Sequence, residues 1–164
     1  MQDFIILTDT RQQKEAHILK EFDKNMIIHI RTCLPSADYM ALRSDRKMYL
    51  DYSTLIDTKK DLEEISGNLC NTQNHERIKR EIAKAKELGC KDFIFLIGDN
   101  RVKHISDIQN WKSPHTKVRG CVLLKIMHTM TDKYGVRFIF CQKKDMGKKI
   151  IELLGGKNET KKGW

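Results

Sequence analysis

The sequence predicts an α/β fold, a mixed β-sheet flanked by α-helices, and three observations carry that expectation. Two short runs, Phe4 to Leu7 and Asp92 to Ile97, are almost continuously apolar, as in strands covered on both faces. Amphipathic patterns of helical period alternate with such runs along the chain and give the order β-α-β-β-β-α-α-β-α-β-α. The length of 164 residues, with 40% hydrophobic and 32% charged content, fits one globular domain with a substantial core and a heavily charged surface.

The first strand, Phe4 to Leu7, runs into Asp9, which is flanked by Thr8 and Thr10. Gln12 to Phe22 reads as a helix with Ala16, Ile18, Leu19 and Phe22 on its apolar stripe and His17 at the surface. In Met26 to Cys33, Ile28, Ile30 and Thr32 alternate with His29 and Arg31, the pattern of an antiparallel or edge strand with one wet face, so His29 is expected in solvent. After a break at Pro35-Ser36, Asp38 to Leu42 and Lys47 to Tyr52 form the arms of a hairpin around Ser44-Asp45-Arg46. The apolar, β-branched run Ser53-Thr54-Leu55-Ile56 then leads to Asp57.

Asp61 to Leu69 reads as a helix that buries Leu62, Ile65 and Leu69 and carries Asp61, Glu63 and Glu64 in its first turn, where the helix dipole favours negative charge. Asn74 is the expected N-cap of a helix over His75 to Leu88, which Gly89 stops. Its apolar face is Ile78, Ile82, Ala85 and Leu88. The stretch Arg101 to His115 reads as a loop with a short helix, in which Trp111 either stacks on a base or, the favoured reading, anchors the loop on the core. A helix begins at Cys121 with Leu123, Leu124, Met127 and Met130 facing the core, Val136 to Cys141 is a strand, and Lys143 to Leu154 is a last helix ended by Gly155-Gly156. The folded domain is therefore expected over residues 1–156, with 157–164 a basic, flexible tail.

The chemistry concentrates between residues 38 and 59. Side chains on a strand repeat every two residues, so Asp57 and Lys59 leave the same face and bring a carboxylate and an ammonium into one space. The hairpin folds Asp38 back to join them, and two neighbouring carboxylates make an oxygen-ligand site for a hard divalent cation. A lysine beside such a site is the arrangement of metal-assisted phosphodiester hydrolysis, where it orients water or stabilises developing negative charge. Asp51 is a rival for Asp57 but has no lysine two residues on. Asp9 and Arg11 stand at the C-terminal end of the first strand, the edge at which open α/β sheets build their sites.

The ordered set Asp9-Thr10-Arg11, Ala37-Asp38-Tyr39 and Ile56-Asp57-Thr58-Lys59, with Glu63 following, resembles the XPF-type nuclease domain, a branch of the PD-(D/E)XK endonucleases. The match runs over roughly residues 3 to 97. The resemblance implies a restriction-endonuclease-like fold and a metal-dependent DNA endonuclease. In that reading Asp38, Asp57 and Asp9 hold Mg2+, with Mn2+ able to substitute, Lys59 is the catalytic lysine, and Arg11 completes the site. Three positions depart from the family: Ala37 stands for glycine, Asp57 for glutamate and Thr58 for arginine, and Lys60 is the candidate to supply the missing positive charge. The resemblance also implies a basic helix beside the site, so that Arg11, Lys60, His75, Arg77 and Arg80 contact the DNA backbone. Flap, fork or branched DNA is the implied substrate class. The chain has no room for the helix-hairpin-helix module that often accompanies this domain, so a second copy or a partner subunit is expected to provide it.

Thirty-one basic residues against 22 acidic give a net charge of +9, which favours a polyanionic partner, DNA above all. No apolar stretch is long enough for a membrane and the N-terminus lacks a secretory pattern, so a cytoplasmic protein is expected. Five cysteines at wide spacing, without a zinc pattern, read as reduced and mostly buried. A competing reading is a catalytically silent DNA-binding or scaffolding subunit, against which Asp38, Asp57 and Lys59 together argue. A nucleotide-binding protein is disfavoured because no glycine-rich phosphate loop is present.

Overall fold

The computed structural model of the chain describes residues 3–13 and 15–156, and its element order is the predicted alternation. The strands are β1 (Phe4–Asp9), β2 (His29–Thr32), β3 (Tyr39–Arg43), β4 (Tyr49–Lys59), β5 (Asp92–Gly98) and β6 (Arg137–Cys141). The helices are α1 (Ala16–Lys24), α2 (Leu62–Cys70), α3 (Thr72–Glu87), α4 (Gly120–Tyr134) and α5 (Met146–Gly155), with short 3-10 turns at Ile105–Asn110 and Lys143–Asp145.

The strands make one mixed sheet in the order β2-β1-β3-β4-β5-β6. Only β3 runs against the others, being antiparallel to both β1 and β4, whereas β1 with β2 and β4 with β5 and β6 are parallel pairs. The C-terminal ends of five strands therefore share one edge of the sheet with the start of β3. Asp9, Asp38, Asp57 and Lys59 all come from that edge.

Period-two alternation sends side chains to two cores. Leu7, Met40, Leu55 and Phe95 pack with residues of α2, α3 and α4, and Ile6, Tyr39, Ile56 and Leu96 pack with residues of α1 and α5. Each such buried side chain contributes about 1.5–3 kcal/mol by removal from water. Gly147 lets α5 approach α1 closely: a Cβ built there would lie 2.7 Å from Glu21 Cβ and 3.0 Å from the Ile18 carbonyl oxygen.

Several boundaries and faces differ from expectation, each for a local reason. Helix α1 begins at Ala16 rather than Gln12, because the preceding residues are held by Asp9: Gln12 N donates to the Asp9 carbonyl. Helix α3 begins at Thr72, and its cap is Asn71, whose side chain accepts the Asn74 N–H at 3.1 Å; Asn74 is inside the first turn. The last helix begins at Met146, after a 3-10 turn. Strand β2 is an edge strand, as predicted, but is parallel to β1. Its faces are reversed from the expected burial. Helix α1 covers His29, whose ring lies 5.6 Å from that of Phe22 and bonds Asp23, while Ile28 and Ile30 are 58% and 46% exposed. His17 is half-buried rather than at the surface. Of the cysteines, all free, Cys33 and Cys121 are exposed and the other three half-buried, so fewer are core residues than their chemistry suggests. Among the described residues no helix is long and apolar enough to cross a membrane. The basic tail, 157–164, lies outside the described residues.

Candidate active site

The hairpin brings the two central carboxylates together. Tyr39 pairs with Ile56, so Asp38 and Asp57, one position toward the shared edge on each strand, face each other. The Asp38 N–H donates to the Ile56 carbonyl at 2.9 Å. Asp38 Oδ2 accepts the Thr58 N–H and hydroxyl, each at 2.8 Å, and the Gln12 side-chain amide at 3.1 Å. Asp57 is buried, and its Oδ1 accepts Lys59 Nζ at 2.8 Å. The second oxygens, Asp38 Oδ1 and Asp57 Oδ2, receive no hydrogen bond from the described residues.

This geometry concentrates negative charge. Burial and the neighbouring Asp57 push the Asp38 carboxyl up to about 8, against the opposing pull of the Thr58 donors and Lys59. Burial works against the charged form of Lys59, but the Asp57 and Asp38 carboxylates outweigh it and hold the ammonium above its ordinary pKa. Lys59 is thus a cation at neutral pH, able to orient water or stabilise an oxyanion but not to take a proton. Without a second compensating cation the pair retains a proton at neutral pH, and its two free oxygens fit a hard divalent cation that would take the proton's place.

A third carboxylate, absent from the sequence reading, joins them from α3. Glu81 Oε1 accepts the Ala37 N–H at 3.4 Å, and burial together with the Asp57 charge raises its pKa. It is the acidic residue set against the apolar stripe Ile78–Ile82–Ala85 within a basic helix, and that position was its only signal. Gln12 was also missed; it bridges Asp38 and Thr58, donating to the Thr58 hydroxyl at 2.7 Å. Thr58 is buried and holds Asp38 in place.

Asp9 is placed differently from the pair. Its Oδ1 accepts the Arg11 N–H and Nε at 2.8 and 2.7 Å, and its Oδ2 accepts Arg11 Nη2 and the Leu34 N–H at 2.9 and 2.8 Å. Burial pushes this carboxyl up, but the Arg11 and Leu34 donors win and hold it low. Arg11 Nη2 also reaches the Leu34 carbonyl. The two residues tie the end of β1 to the loop that delivers Asp38, and the Asp9 N–H donates to the Asp38 carbonyl at 2.8 Å. Among the described residues no three acidic, histidine or cysteine side chains group as a metal cage. Ala37, before Asp38, has φ of 61°, the left-handed region, where a glycine avoids about 1–2 kcal/mol of strain.

The expected DNA contacts are dispersed. Lys60 is exposed beside Lys59. Arg77 and Arg80 are exposed on α3, with Arg77 electrostatically opposite Glu81. His75 is half-buried with Nδ1 against the Leu69 carbonyl at 2.9 Å, and it lines a separate cavity of about 630 Å³ with Lys117 and Arg119. Glu63 is engaged by Arg101, which also binds Asp99.

The ERCC4 domain matches residues 8–154. The structure of XPF from Aeropyrum pernix superposes with a TM-score of 0.64 at 15% identity, covering 92% of this chain and 64% of that one. That of XPF from Aeropyrum pernix in complex with DNA gives 0.63 at 14% identity, covering 91% and 62%. The chain thus spans under two thirds of the length of these structures, and the likeness establishes the fold. No curated protein matches the chain.

Proposed function

The chain belongs to the ERCC4 domain family, the XPF-type nucleases, and on that premise we propose that it is a divalent-metal-dependent DNA endonuclease acting on flap, fork or branched DNA. The observation that carries the reading is the buried Asp38–Asp57 pair with the Lys59 ammonium 2.8 Å from Asp57. Asp38 and Asp57 would hold Mg2+ or Mn2+ through their free oxygens. The ion supplies Lewis acidity toward a phosphate and compensates the charge of the pair.

The remaining work falls to the chain's own residues. Thr58 and Gln12 fix the Asp38 carboxylate, so that its other oxygen keeps one direction. Lys59, held as an ammonium, orients the attacking water and stabilises the negative charge that develops on the phosphate. Glu81 adds a further carboxylate that feels the charge of Asp57, and it accepts the Ala37 N–H in the loop that carries Asp38. Arg11 and Asp9 position the loop that carries Asp38. Lys60, Arg77 and Arg80 supply phosphate contacts without sequence information.

The test is cleavage of end-labelled duplex, flap, fork and four-way junction DNA in Mg2+, Mn2+ or EDTA, with wild type beside Asp57→Ala and Lys59→Ala. Metal-dependent cutting lost in both variants supports the reading, and the ranking of substrates gives the specificity. Salt-sensitive binding without cutting of any substrate would overturn it in favour of a silent DNA-binding subunit.

A further inference from the structure

Beside Lys59, a second cleft of about 360 Å³ passes over the shared strand edge toward the α1 and α5 side of the sheet. Its walls come from three places. Gln13 lies in the segment before α1 and His17 in its first turn, Lys60 follows β4, and Lys143 follows β6, while Thr58 and Lys59 connect the cleft to the carboxylate site. Lys143 is positioned by its backbone: its N–H donates to Asn100 Oδ1 at 2.9 Å, fastening the exit of β6 to that of β5.

What distinguishes this cleft is its unspent positive and donor capacity. Arg11 and Lys59 are paired with Asp9 and Asp57. The ammonium groups of Lys60 and Lys143 have no hydrogen-bond or ion-pair partner among the described residues. Glu64 is the acidic residue in the lining, and its Oε2 is already taken by the Lys60 N–H at 2.7 Å. His17 Nε2 is buried and has no partner among the described residues. Burial and the charge of Lys143, which lines the same cleft, both hold the imidazole below its ordinary pKa. Two unpaired ammonium groups and an unpaired imidazole nitrogen around one small cleft select an anion with several acceptor oxygens, such as a phosphodiester.

We propose that this cleft is a second phosphate subsite, which holds the phosphodiester adjoining the one at Asp57 in a strand that has left the duplex. The inference rests on the nuclease reading and narrows it. A volume of about 360 Å³ is small against a duplex segment, so the subsite is assigned to a single strand: substrates with a splayed arm are expected to gain this contact and fully paired DNA is not. Lys143 and Lys60 neutralise the phosphate, and His17 and Gln13 provide directional hydrogen bonds.

The test measures binding in EDTA, where cutting plays no part, so it stands apart from the cleavage assay of the nuclease reading. A fluorescently labelled forked duplex with one single-stranded arm is compared with a fully paired duplex of equal length. Wild type is set beside Lys143→Ala, Lys143→Gln, His17→Gln and, as a control of equal charge loss on an exposed residue outside the cleft, Lys144→Ala, with thermal melting to confirm folding. Each Lys143 variant is expected to weaken binding of the fork about five- to tenfold while changing the duplex less than about twofold, and to reduce the salt slope for the fork by about one. His17→Gln follows in the same direction, and Lys144→Ala changes neither DNA by more than about twofold. Equal loss for fork and duplex, or equal effects of Lys143→Ala and Lys144→Ala, would overturn the subsite. If cleavage fails in every metal but the fork-selective loss remains, the subsite stands and the nuclease reading falls.

Discussion

At the scale of single residues, the site is a contest between burial and pairing around Asp38. Its folded pKa is raised above the unfolded value of 3.8, so the folded chain binds the proton more tightly than the unfolded chain. Stability from this group is present at low pH and is lost as pH rises from about 4 toward about 8. The melting temperature in EDTA is expected to fall across that window, less steeply in Asp38→Asn, and Mg2+ should restore more of it at pH 8 than at pH 6. An identical slope in Asp38→Asn would assign the effect elsewhere. Thr58 offers a sharper probe, since its hydroxyl favours the ionised form of Asp38. Thr58→Val should cost about 1–2 kcal/mol in urea unfolding and move the acid limb of the cleavage profile to higher pH. Lys59→Ala should lower single-turnover cleavage about a hundred- to thousandfold with DNA binding in EDTA within about twofold. Asp38, Asp57 and Lys59 were legible because strand period and hairpin pairing are local rules. Glu81 and Gln12 were not, since each reaches the site from a different segment and no spacing links them to it.

At the scale of elements, the loop between β2 and β3 is held in a strained form by Asp9 and Arg11. Ala37 sits in left-handed backbone there, and Glu81 accepts its N–H. A clamp differs from a metal ligand in what its loss does. Asp9→Asn is expected to lower stability by about 1–3 kcal/mol while leaving Mn2+ affinity within about threefold, as calorimetry would show. A large loss of Mn2+ affinity at unchanged stability would instead make Asp9 a ligand. On the other face, Gly147→Ala should destabilise by about 1–3 kcal/mol, because the added methyl meets α1 at Glu21 and Ile18. The helices were readable from their apolar stripes, and their ends were not. Asn71 and Asn74 are both good caps, and which one is used depends on where α2 stops.

At the scale of the molecule, five strand ends and the start of β3 converge on one edge, which carries a compact acidic pair in a chain of net charge +9. That contrast suits a polyanion drawn in by the surface and a cation held at its centre. The fold class was visible in the alternation of periods. The parallel pairing of β2 with β1 was not, because β2 meets β1 only after α1 has crossed back, and its alternating pattern fits either direction. The exposure of Ile28 and Ile30 follows from the same global fact: α1 covers one side of that edge strand, and the alternation alone does not say which side. The central claim, that Asp38 and Asp57 together hold a divalent cation, is tested most directly by titrating Mn2+ into DNA-free protein by calorimetry at pH 6.5 and 8.5, with Asp38→Asn and Asp57→Asn beside wild type. The account predicts one ion bound by wild type, more tightly at the higher pH, and lost in both variants. Undiminished binding in both would contradict it.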